Sequence, residues 1–137
     1  ITRLGNLSIE PYLVSAALVG IIAQRLVRRI CRDCCTEEKP AASILHAAER
    51  VGIQLERVHK GKGCSTCNQT GYKGRTGIYE ILAPDDELRD AIASGANLGV
   101  LRQKARELGM KTLFEFGLER VRRGETTVEE LLRVTCE

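Results

Sequence analysis

The sequence contains no tryptophan, and aromatic residues make up only 4% of it. A platform that stacks on unpaired bases needs several rings, so single-stranded nucleic acid is not an expected partner. Long apolar runs are also missing. The longest, Tyr12 to Ala23, has 12 residues and includes Ser15 and Gly20. A helix across a bilayer needs ~20, so no transmembrane segment is predicted. No charged-then-apolar leader opens the chain, which predicts no secretory signal, and a start at Ile1 predicts a piece of a longer protein. Neither sign of charge dominates: 21 Lys and Arg against 18 Asp and Glu leave +3, too little to imply a polyanion. Catalytic signatures are missing too. There is no GxxxxGK[ST], GxSxG, HExxH or GxGxxG. No nucleophile is assembled with a base and an orienting group, so the chain alone is predicted to be non-catalytic.

What is present is an ordinary globular composition, 43% apolar and 28% charged over 137 residues, enough for one domain or two small units sharing a core. The unusual feature is six cysteines, at 31, 34, 35, 64, 67 and 136. Cys31-Arg32-Asp33-Cys34 and Cys64-Ser65-Thr66-Cys67 are two CxxC pairs with residues 35–63 between them. One CxxC turn supplies two thiolates from a tight loop, and two such turns complete the tetrahedron that zinc prefers. Cys31, Cys34, Cys64 and Cys67 are therefore the candidate ligands of a structural zinc site. The bland alternative is a set of buried thiols. A redox pair fits less well, because a second CxxC is redundant. Cys35 adjoins Cys34 and is an alternative ligand. His59 lies near Cys64, but four cysteines leave it no vacancy, and both His46 and His59 read as ordinary histidines. Cys136 reads as a bystander. Gly61, Gly63 and Gly71 allow backbone amides to approach the sulfurs. Gly71, Gly74 and Gly77 around Lys73 and Arg75 read as a tight connection beside the metal, with an anion cradle as the sharper alternative.

The pattern along the chain predicts an α+β fold that is mostly helical. Leu13, Val14, Ala17, Leu18, Ile21 and Ile22 recur at helical spacing, predicting within residues 8–30 a buried helix that gives way to something extended; Leu26 to Ile30 fit either its last turn or a short strand. A second helix is expected over 40–51, and a short strand over 55–59. The glycine-rich stretch 61–77 is expected to be irregular, followed by a strand over 78–82. Four short capped helices follow, with Asp85, Asn97, Thr112 and Thr126 as caps; Thr112 with Glu115 and Thr126 with Glu129 form capping boxes. Arg25, Arg28, Arg29 and Arg32, and separately Arg120, Arg122 and Arg123, read as solvated or partner-facing surface.

Several stretches resemble one family. They are Ile9-Glu10-Pro11-Tyr12-Leu13, Ala23-Gln24-Arg25-Leu26-Val27-Arg28, and the loop Gly63-Cys64-x-x-Cys67-x-x-Thr70-Gly71-Tyr72-x-Gly74-Arg75-x-Gly77-Ile78-x-Glu80. Gly109-Met110-Lys111-Thr112-Leu113 and Glu129-Glu130-Leu131-Leu132-Arg133-Val134-Thr135 continue it. Together these resemble the C-terminal part of the bacterial type II secretion and type IV pilus assembly ATPases, of the GspE/PilB type. The chain departs from that pattern at Arg32, where proline is common, and at Cys35, where lysine is common.

The resemblance implies three regions. Residues 1–30 would be the last elements of a RecA-like α/β core, most of which this chain lacks. Residues 31–77 would be a tetracysteine zinc subdomain, and 78–137 a short strand with a helical C-terminal region. It implies that Zn2+ is held by Cys31, Cys34, Cys64 and Cys67, with ATP and Mg2+ bound only in the parent protein, upstream of Ile1. It further implies a cytoplasmic hexamer, peripheral to the bacterial inner membrane, that works on an inner-membrane platform protein to assemble pilin or pseudopilin, with no role for nucleic acid. The competing class is a free-standing zinc-ribbon module that binds nucleic acid.

Overall fold

Residues 4 and 7–135 are described in a computed structural model of the chain; Cys136 lies outside them. Pro11 opens helix α1 (Pro11–Ala17) in its first turn, but Leu18 is already extended and the helix ends after seven residues. Val19, Ile21 and Ile22 are β-branched, and such side chains lose rotamer freedom in a helix and pack well on a pleated surface. Strand β1 (Ile21–Ile30) begins where the helical spacing had continued. The expected passage from helix to extended chain within residues 8–30 is present, but it comes before Ile21 and Ile22, which the helical spacing had included: a seven-residue helix is followed by a ten-residue strand. Leu13, Val19 and Ile22 stand exposed.

A 3-10 turn at Arg32–Cys34 leads into β2 (Cys35–Glu38). The helix expected over 40–51 is α2 (Ala42–Glu49), which buries Ile44 and Ala48. Strand β3 (Val58–Gly61) returns antiparallel to β2, with Cys35 opposite Gly61 and Glu38 opposite Val58. A second 3-10 turn, Ser65–Cys67, precedes β4 (Tyr72–Leu82), which pairs with β1 in a second two-stranded sheet. The strand expected at Ile78 therefore starts at Tyr72. Gly77 lies inside it because the Tyr79 ring occupies the space a Cβ would need.

Four helices complete the chain: α3 (Asp86–Ala93), α4 (Leu98–Glu107), α5 (Leu113–Arg122) and α6 (Val128–Thr135). Three caps form as expected. Asp85 Oδ1 accepts from Leu88 N at 2.8 Å and Asn97 Oδ1 from Val100 N at 3.1 Å. Thr112 and Glu115 close a reciprocal box. The fourth cap is one residue later than predicted. Thr127 Oγ1 accepts from Glu130 N at 3.2 Å, while the Thr126 hydroxyl donates to Arg28 O at 2.8 Å. That shift turns Glu130 inward. No helix among the described residues is long and apolar enough to cross a membrane.

The chain forms two compact units. One comprises residues 1–22 and 81–111. In it α1 packs against α3 around Val14, Leu88, Ile92 and Leu101, and Ser15 and Arg89 exchange two 2.8 Å hydrogen bonds. The other comprises 23–80 and 112–137, with a core of Val27, Ile44, Val58, Ile78, Leu118, Val121 and Leu131. Both CxxC turns belong to this second unit.

Candidate metal centre

Each CxxC begins on extended backbone and turns through a 3-10 helix, which swings the paired sulfurs to one side. The second turn is closed by backbone hydrogen bonds from Cys67 N and Gln69 N to Cys64 O, at 3.3 and 2.9 Å. It is clasped by the Thr70 hydroxyl, which donates to Cys67 O at 2.6 Å. The first turn is tied to the same loop from two sides: Cys31 N donates to Gly71 O at 2.9 Å, and Lys62 N to Cys34 O at 3.0 Å. These two main-chain hydrogen bonds bring the two turns against each other.

The crossing requires glycine. A Cβ on Gly61 would lie 2.6 Å from Gly71 Cα and closer still to Gly71 O; one on Gly71, where φ is +76°, would collide with Gly61 O. Two strands of main chain pass there with no room for a side chain on either, and backbone cannot yield as a flexible side chain can.

The sulfurs of Cys31, Cys34, Cys64 and Cys67 all lie within 4.8 Å of one another. Three edges of the cluster are 3.9 Å (Cys31–Cys64), 3.9 Å (Cys34–Cys67) and 3.7 Å (Cys64–Cys67). Four sulfurs at ~2.3 Å from a common centre define a tetrahedron with edges of ~3.8 Å. A disulfide would need ~2.0 Å, and these cysteines are free thiols. The donor set and its spacing fit a tetrathiolate ion. Cys31 and Cys67 are buried, and Cys34 and Cys64 half-buried.

Backbone amides already point at the sulfurs. Cys64 N and Gly71 N each donate to Cys67 Sγ at 3.2 Å. Burial opposes ionisation of Cys67, but these amides and the Cys64 and Cys34 thiols outweigh it and bring its thiol down to about 6. Burial pushes the Cys34 thiol up to about 12, against a hydrogen bond from the Gly63 backbone. Gly63 and Gly71 thus take the amide-donating role their positions suggested. Gly61 serves instead as the space for the crossing.

The other sequence candidates fall elsewhere. Cys35, weighed as a substitute for Cys34, is not in the cluster and begins β2. His59 is not in it either. Its Nε2 faces Glu37 Oε1 at 3.5 Å, and its Nδ1 is buried without a hydrogen-bond partner. His46 lies on the surface, 3.7 Å from Glu49. The arginine runs are less free than expected: Arg120 pairs with Glu125 at 2.6 Å and Arg122 with Glu119 at 2.8 Å.

Sequence reasoning missed one buried acid. Glu130 is 1% exposed. Its carboxylate accepts from Arg28 N (3.0 Å), Arg28 Nη2 (2.6 Å), Arg133 Nε (3.0 Å) and Arg133 Nη2 (2.9 Å). The Arg28 guanidinium also lies 4.1 Å from the centre of the Tyr72 ring, whose hydroxyl is 2.9 Å from Thr127 Oγ1. The network links β1, β4 and α6. Burial raises the Glu130 pKa, yet the two arginines prevail and hold it at about 2.

Comparison with known proteins adds a separate line. Residues 1–133 match the family described as "Type II/IV secretion system protein". Over 139 residues the chain is 47% identical to the Type IV pilus assembly ATPase PilB of Thermus thermophilus, covering all of this chain and 16% of that protein. It is 40% identical over 135 residues to the Type II secretion system protein HxcR of Pseudomonas aeruginosa, covering 98% of this chain and 25% of that one. To the Type II secretion system ATPase E of Vibrio cholerae it is 38% identical over 140 residues, covering all of this chain and 27% of that protein. The chain therefore spans between 16% and 27% of the length of these relatives.

Proposed function

The chain belongs to the type II/IV secretion system protein family, and from that premise we propose that it is the zinc-stapled C-terminal region of a secretion or pilus-assembly ATPase. The observation that carries this reading is the four-sulfur cluster, whose 3.7–3.9 Å edges suit zinc–thiolate bonds. Cys31, Cys34, Cys64 and Cys67 hold the ion. Four protein ligands leave no open position for water or substrate, so the chemistry zinc supplies is structural: it locks two distant turns together. The amides of Cys64 and Gly71 offset the negative charge that thiolates bring. Zinc binding and ordering of residues 31–77 are then one event, because the ligand set exists only when the two turns meet.

On this reading the chain does not itself hydrolyse ATP. The phosphate-binding loop, ATP and Mg2+ belong to a RecA-like core in the remainder of the parent protein. That parent works as a cytoplasmic hexamer, peripheral to the inner membrane, and drives pilin or pseudopilin assembly through a platform protein. The zinc subdomain is a rigid appendage that meets either a neighbouring subunit or the platform. Crosslinking of the purified full-length protein, alone and with its membrane platform, tests this. The expected result is a six-subunit species with crosslinks that include residues 31–77; a monomer, or a hexamer whose crosslinks never involve that segment, contradicts it.

A further inference from the structure

One charged surface lies outside the cysteine cluster and is independent of the role proposed for it. Arg28 from β1, Arg75 from β4 and Arg133 from α6 line an open pocket of about 530 Å3, with Leu26 as the remaining wall. All four residues belong to the same compact unit. Two of the guanidiniums are fixed in place from behind by the buried Glu130 carboxylate, and both still face solvent, at 48% and 56% side-chain exposure for Arg28 and Arg133. Arg28 is further braced against the face of Tyr72. Arg75 is exposed, and its side chain has no hydrogen-bond or ion-pair partner among the described residues.

Like charges converge only at a Coulombic cost, and here that cost is only partly offset. Three guanidiniums against one carboxylate leave an excess of two positive charges around the pocket. A second carboxylate would bring one negative charge and one planar face, which a single guanidinium fork already satisfies. A phosphate monoester brings about −1.5 to −2 at neutral pH and three oxygens in a pyramid, which suits donors arriving from three elements. We propose that Arg28, Arg75 and Arg133 form a binding site for the phosphoryl group of a phosphate ester, with Leu26 against its organic portion. Glu130 serves as the positioning residue that sets two of the three forks before the ligand arrives.

The test is a titration of the full chain with inorganic phosphate and with glycerol phosphate at constant ionic strength. Binding is followed by calorimetry and by NMR of the arginine Nε–H groups. Saturable binding is expected, with shifts confined to the three arginines, and Arg75→Gln should weaken it about tenfold. Arg75 is outside the Glu130 network, so this variant keeps the fold, which its circular dichroism checks. Shifts scattered over the basic surface without saturation overturn the proposal, as does unchanged affinity in Arg75→Gln. Sedimentation with phosphatidic acid vesicles, whose headgroup is a phosphate monoester, distinguishes the source. Vesicle binding that Arg75→Gln abolishes supports the phosphoryl site and assigns it to a lipid headgroup; glycerol phosphate binding without vesicle binding supports it and assigns it to a soluble ester.

Discussion

Replacing Glu130 with glutamine removes a charge from the interior while leaving its shape. The carboxylate titrates at about 2 instead of its ordinary 4.5. That difference makes the ionised form about 3 kcal/mol more stabilising than the neutral one, which glutamine imitates. Two features make this a ceiling. Arg28 and Arg133 are about half exposed, so water takes up their freed N–H groups and neither becomes a buried unpaired charge. The glutamine carbonyl also remains able to accept from Arg28 N. Urea denaturation at pH 7 should therefore show a loss of up to about 3 kcal/mol, or roughly 10 °C in melting temperature for a protein of this size. The pH dependence has a definite sign. A depressed carboxylate pKa gives stability that is fully present above the unfolded value near 4.5 and is lost as pH falls towards 2. The gap between wild type and Glu130→Gln should close across that window. Equal stability at pH 7, or a gap that persists unchanged to pH 2, refutes the reasoning.

Further expectations rest on other contacts. Gly71→Ala places a methyl against Gly61 O at a positive φ and should cost at least about 3 kcal/mol, whereas Gly74→Ala has open space at φ +79° and should cost ~1 kcal/mol; chemical denaturation of the pair separates collision from backbone strain. Thr112→Ala breaks the α5 capping box and should cost ~1 kcal/mol by thermal unfolding. Cys67→Ser should abolish metal retention after gel filtration and increase protease cleavage within residues 31–77, while Cys35→Ser should do neither.

The cluster was legible because CxxC spacing constrains local geometry almost regardless of context, and because the intervening residues 35–63 are long enough to bring the second turn back. Caps at Asp85, Asn97 and Thr112 were legible for the same reason: each is satisfied within three residues. The misreadings share a cause in tertiary structure. Ile21 and Ile22 continue a helical spacing, but pairing of β1 with β4 decides their conformation. Thr126 and Thr127 are equivalent caps by sequence. What separates them is the distant Arg28, which takes the Thr126 hydroxyl on its carbonyl and Glu130 on its guanidinium. Nothing around Glu130 marks it as buried, since adjacent Glu129 has the same local pattern. Gly61 looked like an amide donor because sequence cannot reveal that Gly71 crosses it.

Zinc K-edge absorption spectroscopy of the anaerobically purified chain addresses the cluster directly. Four sulfur neighbours at ~2.3 Å, with one zinc per chain, are predicted from the convergence of Cys31, Cys34, Cys64 and Cys67. Absence of zinc, or a shell in which nitrogen or oxygen replaces any of the four sulfurs, would contradict it.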